Sequence, residues 1–251
     1  MNPQTDYKFN KLHQIGPLKT EENLLFNGYL YMSDRSRLLV DLPTSEWMGP
    51  YKEKIESISA MNQLTHLIIA YPNFSLVTSV KMLIQLGFNG SIISTRAISK
   101  QLAQNGIKLP ITSIEKLDYQ YYASDFKLNF LPIQYLPFPL SFMIYESETH
   151  SLLSNTLFSS FRIDNPNSTV ELKQGIFAYH KSNLPSSEYL KEPIRRIRQH
   201  KIDALCPTFG YVIENDIDAW IEYEYQLDFY NTSQVFRYNE EFIKEFNYIE
   251  I

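Results

Sequence analysis

The sequence predicts an α/β chain folded as a four-layer αββα sandwich, on three observations. Short apolar runs alternate with helix-period segments over residues 27–106. A dense series of strand-like segments then fills residues 111–153. Helix, short strand and helix return over residues 187–229, so helices are available to cover two facing sheets.

Along the chain, residues 29–32 and 38–40 read as a hairpin around the polar turn Ser33-Asp34-Arg35-Ser36. Residues 53–61 carry Ile55, Ile58 and Met61 at spacings of three, a helical stripe. Residues 66–70 form an apolar run of the kind buried on both faces of a parallel sheet. Residues 77–86 put Val80, Leu83 and Ile84 on one helical side and stop at Gly87. A strand at 92–94 and a helix at 98–104, ended by Asn105-Gly106, complete this half. From 111 to 153 the segments ITSI, QYYA, LNFLPI, SFMIY and SLLS are separated by turn residues, and three or more are expected to meander as one antiparallel sheet. Residues 160–175 read as polar and irregular. Residues 187–200 read as a helix, 204–206 as a strand and 216–229 as an amphipathic helix. One domain is expected over residues 1–251, with 1–20 an N-terminal extension and 232–251 an acidic, aromatic tail.

Composition bounds the function. With 251 residues, 44% hydrophobic and 20% charged, the chain can bury a substantial core, which excludes global disorder. Its one cysteine, Cys206, excludes internal disulfides and thiolate-rich metal centres. The N-terminal residues lack the apolar core that a signal peptide requires, which predicts a cytoplasmic protein. The most apolar stretch, 128–145, contains Pro132, Pro137 and Pro139 and cannot span a membrane as a helix. Net charge is −5, but residues 214–251 hold ten acids and two bases, leaving +3 on the rest. A near-neutral body argues against general nucleic-acid binding. The tail is too aromatic for a solvated extension, so 234–251 is expected to pack on the body or on a second copy of the chain.

Four stretches carry a family resemblance. Asn27-Gly28-Tyr29-Leu30 with Leu38-Leu39-Val40-Asp41 forms an opening hairpin. Residues 70–76, AYPNFSL, lie between a buried strand and a helix. Residues 134–142, QYLPFPLSF, are followed by Tyr145 and by Leu152-Leu153-Ser154-Asn155-Thr156. Ala204-Leu205-Cys206-Pro207-Thr208-Phe209-Gly210 forms a closing turn. In this order they resemble the metallo-β-lactamase fold, in its flavodiiron branch and the related oxygen-binding diiron proteins.

The resemblance places this chain's departures on every metal-ligand position. Tyr71 stands where the family has a His, Asn73 where it has an acid, and Ser75 where it has an Asp. Leu76 holds a position that is often His in the wider fold. Pro137 stands for the next His, Thr156 for the bridging Asp and Phe209 for the last His. Two metal ions need imidazoles and carboxylates that are absent here, so no metal or other cofactor is expected. Tyr71, Phe74, Phe138 and Phe209 are expected to converge on the former cavity, either as an aromatic plug or as the walls of a small-molecule site anchored by Asn73 and Thr156.

Other constellations have bland readings beside sharper ones. His180 is a hydrogen-bonded structural residue or an inherited pocket residue; with Cys206 it could make a metal-independent thiol hydrolase. Arg195, Arg196, Arg198 and Lys201 make a basic helix end that is solvated by default, or that contacts a protein partner or an anion such as a cyclic dinucleotide. The expectation is therefore a non-catalytic signalling or interaction protein, with the hydrolase as the alternative and a homodimer as one use of the tail.

Overall fold

The computed structural model describes residues 8–9, 11–19, 24–123, 126–133 and 140–230. Two sheets face each other. The first has seven strands in chain order: β1 (Lys8–Phe9), β2 (Leu12–Lys19), β3 (Leu25–Met32), β4 (Arg37–Val40), β5 (His66–Ile68), β6 (Ser91–Ser94) and β7 (Ile111–Ser113). Strands β1 to β4 pair antiparallel and β4 to β7 parallel. The second sheet has the order β12-β11-β10-β9-β8, built from β8 (Gln120–Ala123), β9 (Phe126–Pro132), β10 (Phe142–Glu146), β11 (Ser151–Asn155) and β12 (Ala204–Pro207). Strands β8 to β11 form the expected antiparallel meander, and β12 joins β11 in parallel.

Side-chain alternation separates three apolar layers. Leu38, Val40, Ile68 and Ile93 point between the sheets, against Phe130, Phe142, Ile144, Leu153 and Cys206. Their strand neighbours Leu39, Leu67 and Ile92 face outward onto α1 (Met48–Glu56), α2 (Leu76–Gln85) and α3 (Arg96–Gln104). On the opposite outside, Met143, Leu152 and Leu205 face α4 (Thr169–Asn183), α5 (Glu188–Ile197) and α6 (Ile217–Gln226). The period-2 rule thus makes each sheet apolar on both faces and yields the four layers.

The structure departs from the sequence reading at four places. Residues 12–19, assigned to an extension, form β2 and pair with β3 from Leu12↔Tyr31 to Lys19↔Leu25. Strand β7 leaves the meander and closes the parallel part of the first sheet. The first helix begins at Met48, five residues earlier than its Ile55 stripe suggests, because Pro50 lies in the first turn, where no N–H is needed. Residues 169–183, partly assigned to irregular chain, form α4. Its start is set by Ser168, whose side chain accepts a bond from Glu171 N, and Gly175 lets it pass close to Phe161 O. Among the described residues no helix is long and apolar enough to cross a membrane.

Candidate functional site

Three loops at one end of the sandwich carry the positions singled out by the sequence. The first follows β5. Asp41 Oδ1 accepts bonds of 2.7 Å from both Ala70 N and Tyr71 N and so fixes the chain entering the loop. Burial pushes the Asp41 carboxyl up from an ordinary 3.8 to about 7, outweighing those two bonds, which pull it down. Asn73 turns back on the backbone, donating to Leu42 O at 2.8 Å while its Oδ1 accepts from Ser75 N at 3.0 Å. Ser75 Oγ accepts from Ser45 N at 2.9 Å, and Leu76 is buried in the core of the first helical layer. Both polar side chains are therefore occupied in holding the loop. Phe74 projects between them and is 95% exposed, so it does not join the rings expected inside.

The second loop follows β11. Asn155 adopts φ +57° and donates to Ala70 O (2.9 Å) and Phe142 O (3.2 Å), while its Oδ1 accepts from Thr156 N. Thr156 is buried, and its Oγ1 and the Ser160 Oγ have no hydrogen-bond partner among the described residues. Phe158, at φ +59°, donates its N–H to Glu224 of α6, 2.8 Å from Oε2 and 3.1 Å from Oε1. Nε2 of His180 lies 2.9 Å from Glu224 Oε1, a close pairing that is out of line for a hydrogen bond.

The third loop is the closing turn. Asn27 donates to Pro207 O (3.0 Å) and Gly210 O (3.1 Å), and Tyr29 OH donates to Pro207 O (2.7 Å). Gly210, at φ +96°, sits where a Cβ would meet Ser160 Oγ at 2.3 Å, so the turn and the second loop touch through it. The turn delivers Phe209 edge-on to Tyr71, with ring centroids 5.4 Å apart at 87°. Tyr179 of α4 lies 6.0 Å from Phe209 and Phe26 of β3 lies 6.1 Å from it. Burial raises the Tyr179 hydroxyl strongly, against a bond with Ser159 that lowers it.

Of the rings just described, the sequence reading named Tyr71 and Phe209 for the interior and missed Phe26 and Tyr179, which come from a strand face and a helix it did not register as neighbours. Pro137 and Phe138 lie outside the described residues. Cys206 and His180 do not meet as a reactive pair. Cys206 faces the layer between the sheets with burial holding its thiol far up and Glu214 adding to the effect, and His180 lies against Glu224 on the other side of the second sheet. Glu224 was missed entirely, although a carboxylate among Trp220 and Ile221 on the apolar face of α6 was a readable signal.

The basic cluster is largely matched by acids. Arg196 pairs with Glu192 and also donates to Pro132 O, Arg198 pairs with Glu222 and stacks on Tyr225, and Lys201 pairs with Asp203. Arg195 is exposed.

The donor set does not suit a diiron or dizinc centre. Tyr71 and Phe209 present packed rings, Asn73 and Ser75 are bonded to backbone, and Thr156 offers one neutral oxygen. Among the described residues no group of three or more His, Cys, Asp or Glu could hold a metal ion.

The model of the ODP family of beta lactamases matches residues 24–210, more than half of the chain. No curated protein matches in sequence. Among solved structures, the flavodiiron protein from Giardia intestinalis superposes with a TM-score of 0.77 at 14% identity, over 89% of this chain and 59% of its own. Rubredoxin oxygen:oxidoreductase from Desulfovibrio gigas gives 0.76 at 14% identity, over 88% and 61%. Fragment 1–254 of putative diflavin flavoprotein A 5 from Nostoc sp. gives 0.73 at 15%, over 85% and 90%. These likenesses show the fold, and this chain spans about three-fifths of the first two proteins.

Proposed function

Because the chain belongs to the ODP beta-lactamase family, we propose that it is a cytoplasmic interaction or signalling protein that keeps the scaffold of that family and works by binding, without metal-dependent turnover. The observation that supports this reading is the ring packing at two of the positions the resemblance assigns to metal ligands, Tyr71 and Phe209, with Tyr179 and Phe26 beside Phe209. A hydrolytic or redox site needs an opening for substrate and donors aimed into it. Here Tyr71 and Phe209 pack edge-on, and Asn73 and Ser75 are bonded to backbone groups.

A protein partner is favoured over a cyclic dinucleotide, because Arg196, Arg198 and Lys201 are already matched by Glu192, Glu222 and Asp203. Pairs this exposed are worth little individually, yet an anion would have to compete with each of them. A single domain over residues 1–251, with its tail packed on the body or on a second copy, belongs to the same proposal.

Elemental analysis of the full chain, purified without chelators, tests the metal side of this reading. The expected content is below about one-tenth of an equivalent of iron, zinc or manganese, given the donor chemistry. A stoichiometric metal that is lost on substituting Asn73 or Thr156 would overturn it. The binding side is tested by calorimetry against cyclic dinucleotides and by co-purification from native cells with wild type and Arg195→Glu. Tight dinucleotide binding that Arg195→Glu abolishes would replace the protein-partner reading.

A further inference from the structure

We infer that the loop after β11, together with His180, forms a buried anion-binding site whose ligand the chain carries itself: the carboxylate of Glu224. Asn155 and Phe158 both hold positive φ, of +57° and +59°. A bulky aromatic residue in that region is a genuine outlier and persists only where the surroundings hold it there. In that conformation the Phe158 N–H is directed at Glu224, both oxygens of which lie within hydrogen-bond reach of it, at 3.1 and 2.8 Å.

The site is sealed. Glu224 is 0% exposed and His180 1%, and His180 presents a ring nitrogen 2.9 Å from the carboxylate. A carboxyl group buried without partners is costly, and this one is met by the Phe158 N–H, with the His180 ring nitrogen close beside it. The ligand also comes from outside the family region. Helix α6 spans Ile217–Gln226, beyond the matched residues 24–210. The carboxylate therefore ties a segment outside the family match to the loop that carries Thr156, and with α4 it joins three parts of the chain at one point.

An intramolecular ligand can be replaced by a free one. Removing the side chain with Glu224→Ala leaves a cavity the size of a small carboxylate, and formate is the probe. The expected result is a melting temperature at least about 5 °C below wild type, of which half or more returns on adding sodium formate in a saturable manner. Sodium chloride at the same ionic strength should give no such return, and formate should not move wild type. A Glu224→Ala protein that melts with wild type, or that formate and chloride affect equally, would overturn the inference. If that variant yields no folded protein even in formate, amide exchange decides between wild type and Glu224→Leu, which fills the space but offers no acceptor. Phe158 N–H should then exchange at least about tenfold faster in Glu224→Leu, with the amides of β10 unchanged. Equal protection of Phe158 in the two proteins would overturn it as well.

Discussion

Two sets of polar positions meet at the same end of the sandwich and have met opposite fates. Asn27 and Asp41 are buried, and each spends its side chain on backbone groups of another segment: Asn27 on the closing turn, Asp41 on the loop after β5. The positions that the family resemblance assigns to metal ligands, Tyr71, Thr156 and Phe209, carry rings and a hydroxyl without a hydrogen-bond partner among the described residues. The first set holds the loops in place whatever lies between them. A scaffold can therefore lose every ligand of its centre and keep its loops, provided that the backbone at the rim stays satisfied.

That contrast can be broken first through pH. Asp41 is raised from 3.8 to about 7 in the folded protein, so between those values the folded state keeps a proton that the unfolded state has lost. The contribution of this group to stability is then greatest below about pH 4, falls as pH rises to about 7 and is flat above, a loss on the order of 4 kcal/mol. In Asp41→Asn the amide oxygen can still accept from Ala70 N and Tyr71 N without titrating, so urea unfolding across this window should lose most of its slope. An unchanged slope would show that Asp41 is not the source.

Next in size is Asn27→Ala. It strands the Gln14 amide and Gly210 O, leaves Pro207 O with Tyr29 OH as its remaining partner, and should cost about 2 kcal/mol in denaturant unfolding. The smallest effect is expected on the other side of the comparison. Thr156→Val removes a buried hydroxyl without a hydrogen-bond partner among the described residues and should change stability by less than about 1 kcal/mol, towards greater stability. A loss near that of Asn27→Ala would show that Thr156 still has structural work in the site.

The fold was legible because its layers follow from continuous apolar runs such as residues 66–70 and from the α2 stripe of Val80 and Leu83, signals that survive without any knowledge of neighbours. Strand β2 was not, because Gly16 and Pro17 interrupt its pattern at the irregularity in its register with β3. In the site, the positions could be read but their environments could not. Tyr71 and Phe209 were placed inside from order along the chain, whereas Phe74 was placed with them although Asn73 and Ser75 on either side point to the backbone and turn it outward. Glu224 escaped because its partners, Phe158 N and His180, come from a loop and a helix that only tertiary packing brings to it.

The bonds of Asn27 also bear on how the chain is made. Its carbonyl partners lie 180 and 183 residues further along, at Pro207 and Gly210. A nascent chain emerging amino end first exposes the opening hairpin long before the turn that completes it has been synthesised. Until then the amide of Asn27 and the surrounding apolar strands have water or a chaperone as their company. The closing turn thus works as a late fastener, and a stop codon upstream of residue 210 should leave even the earliest strands without their final lock.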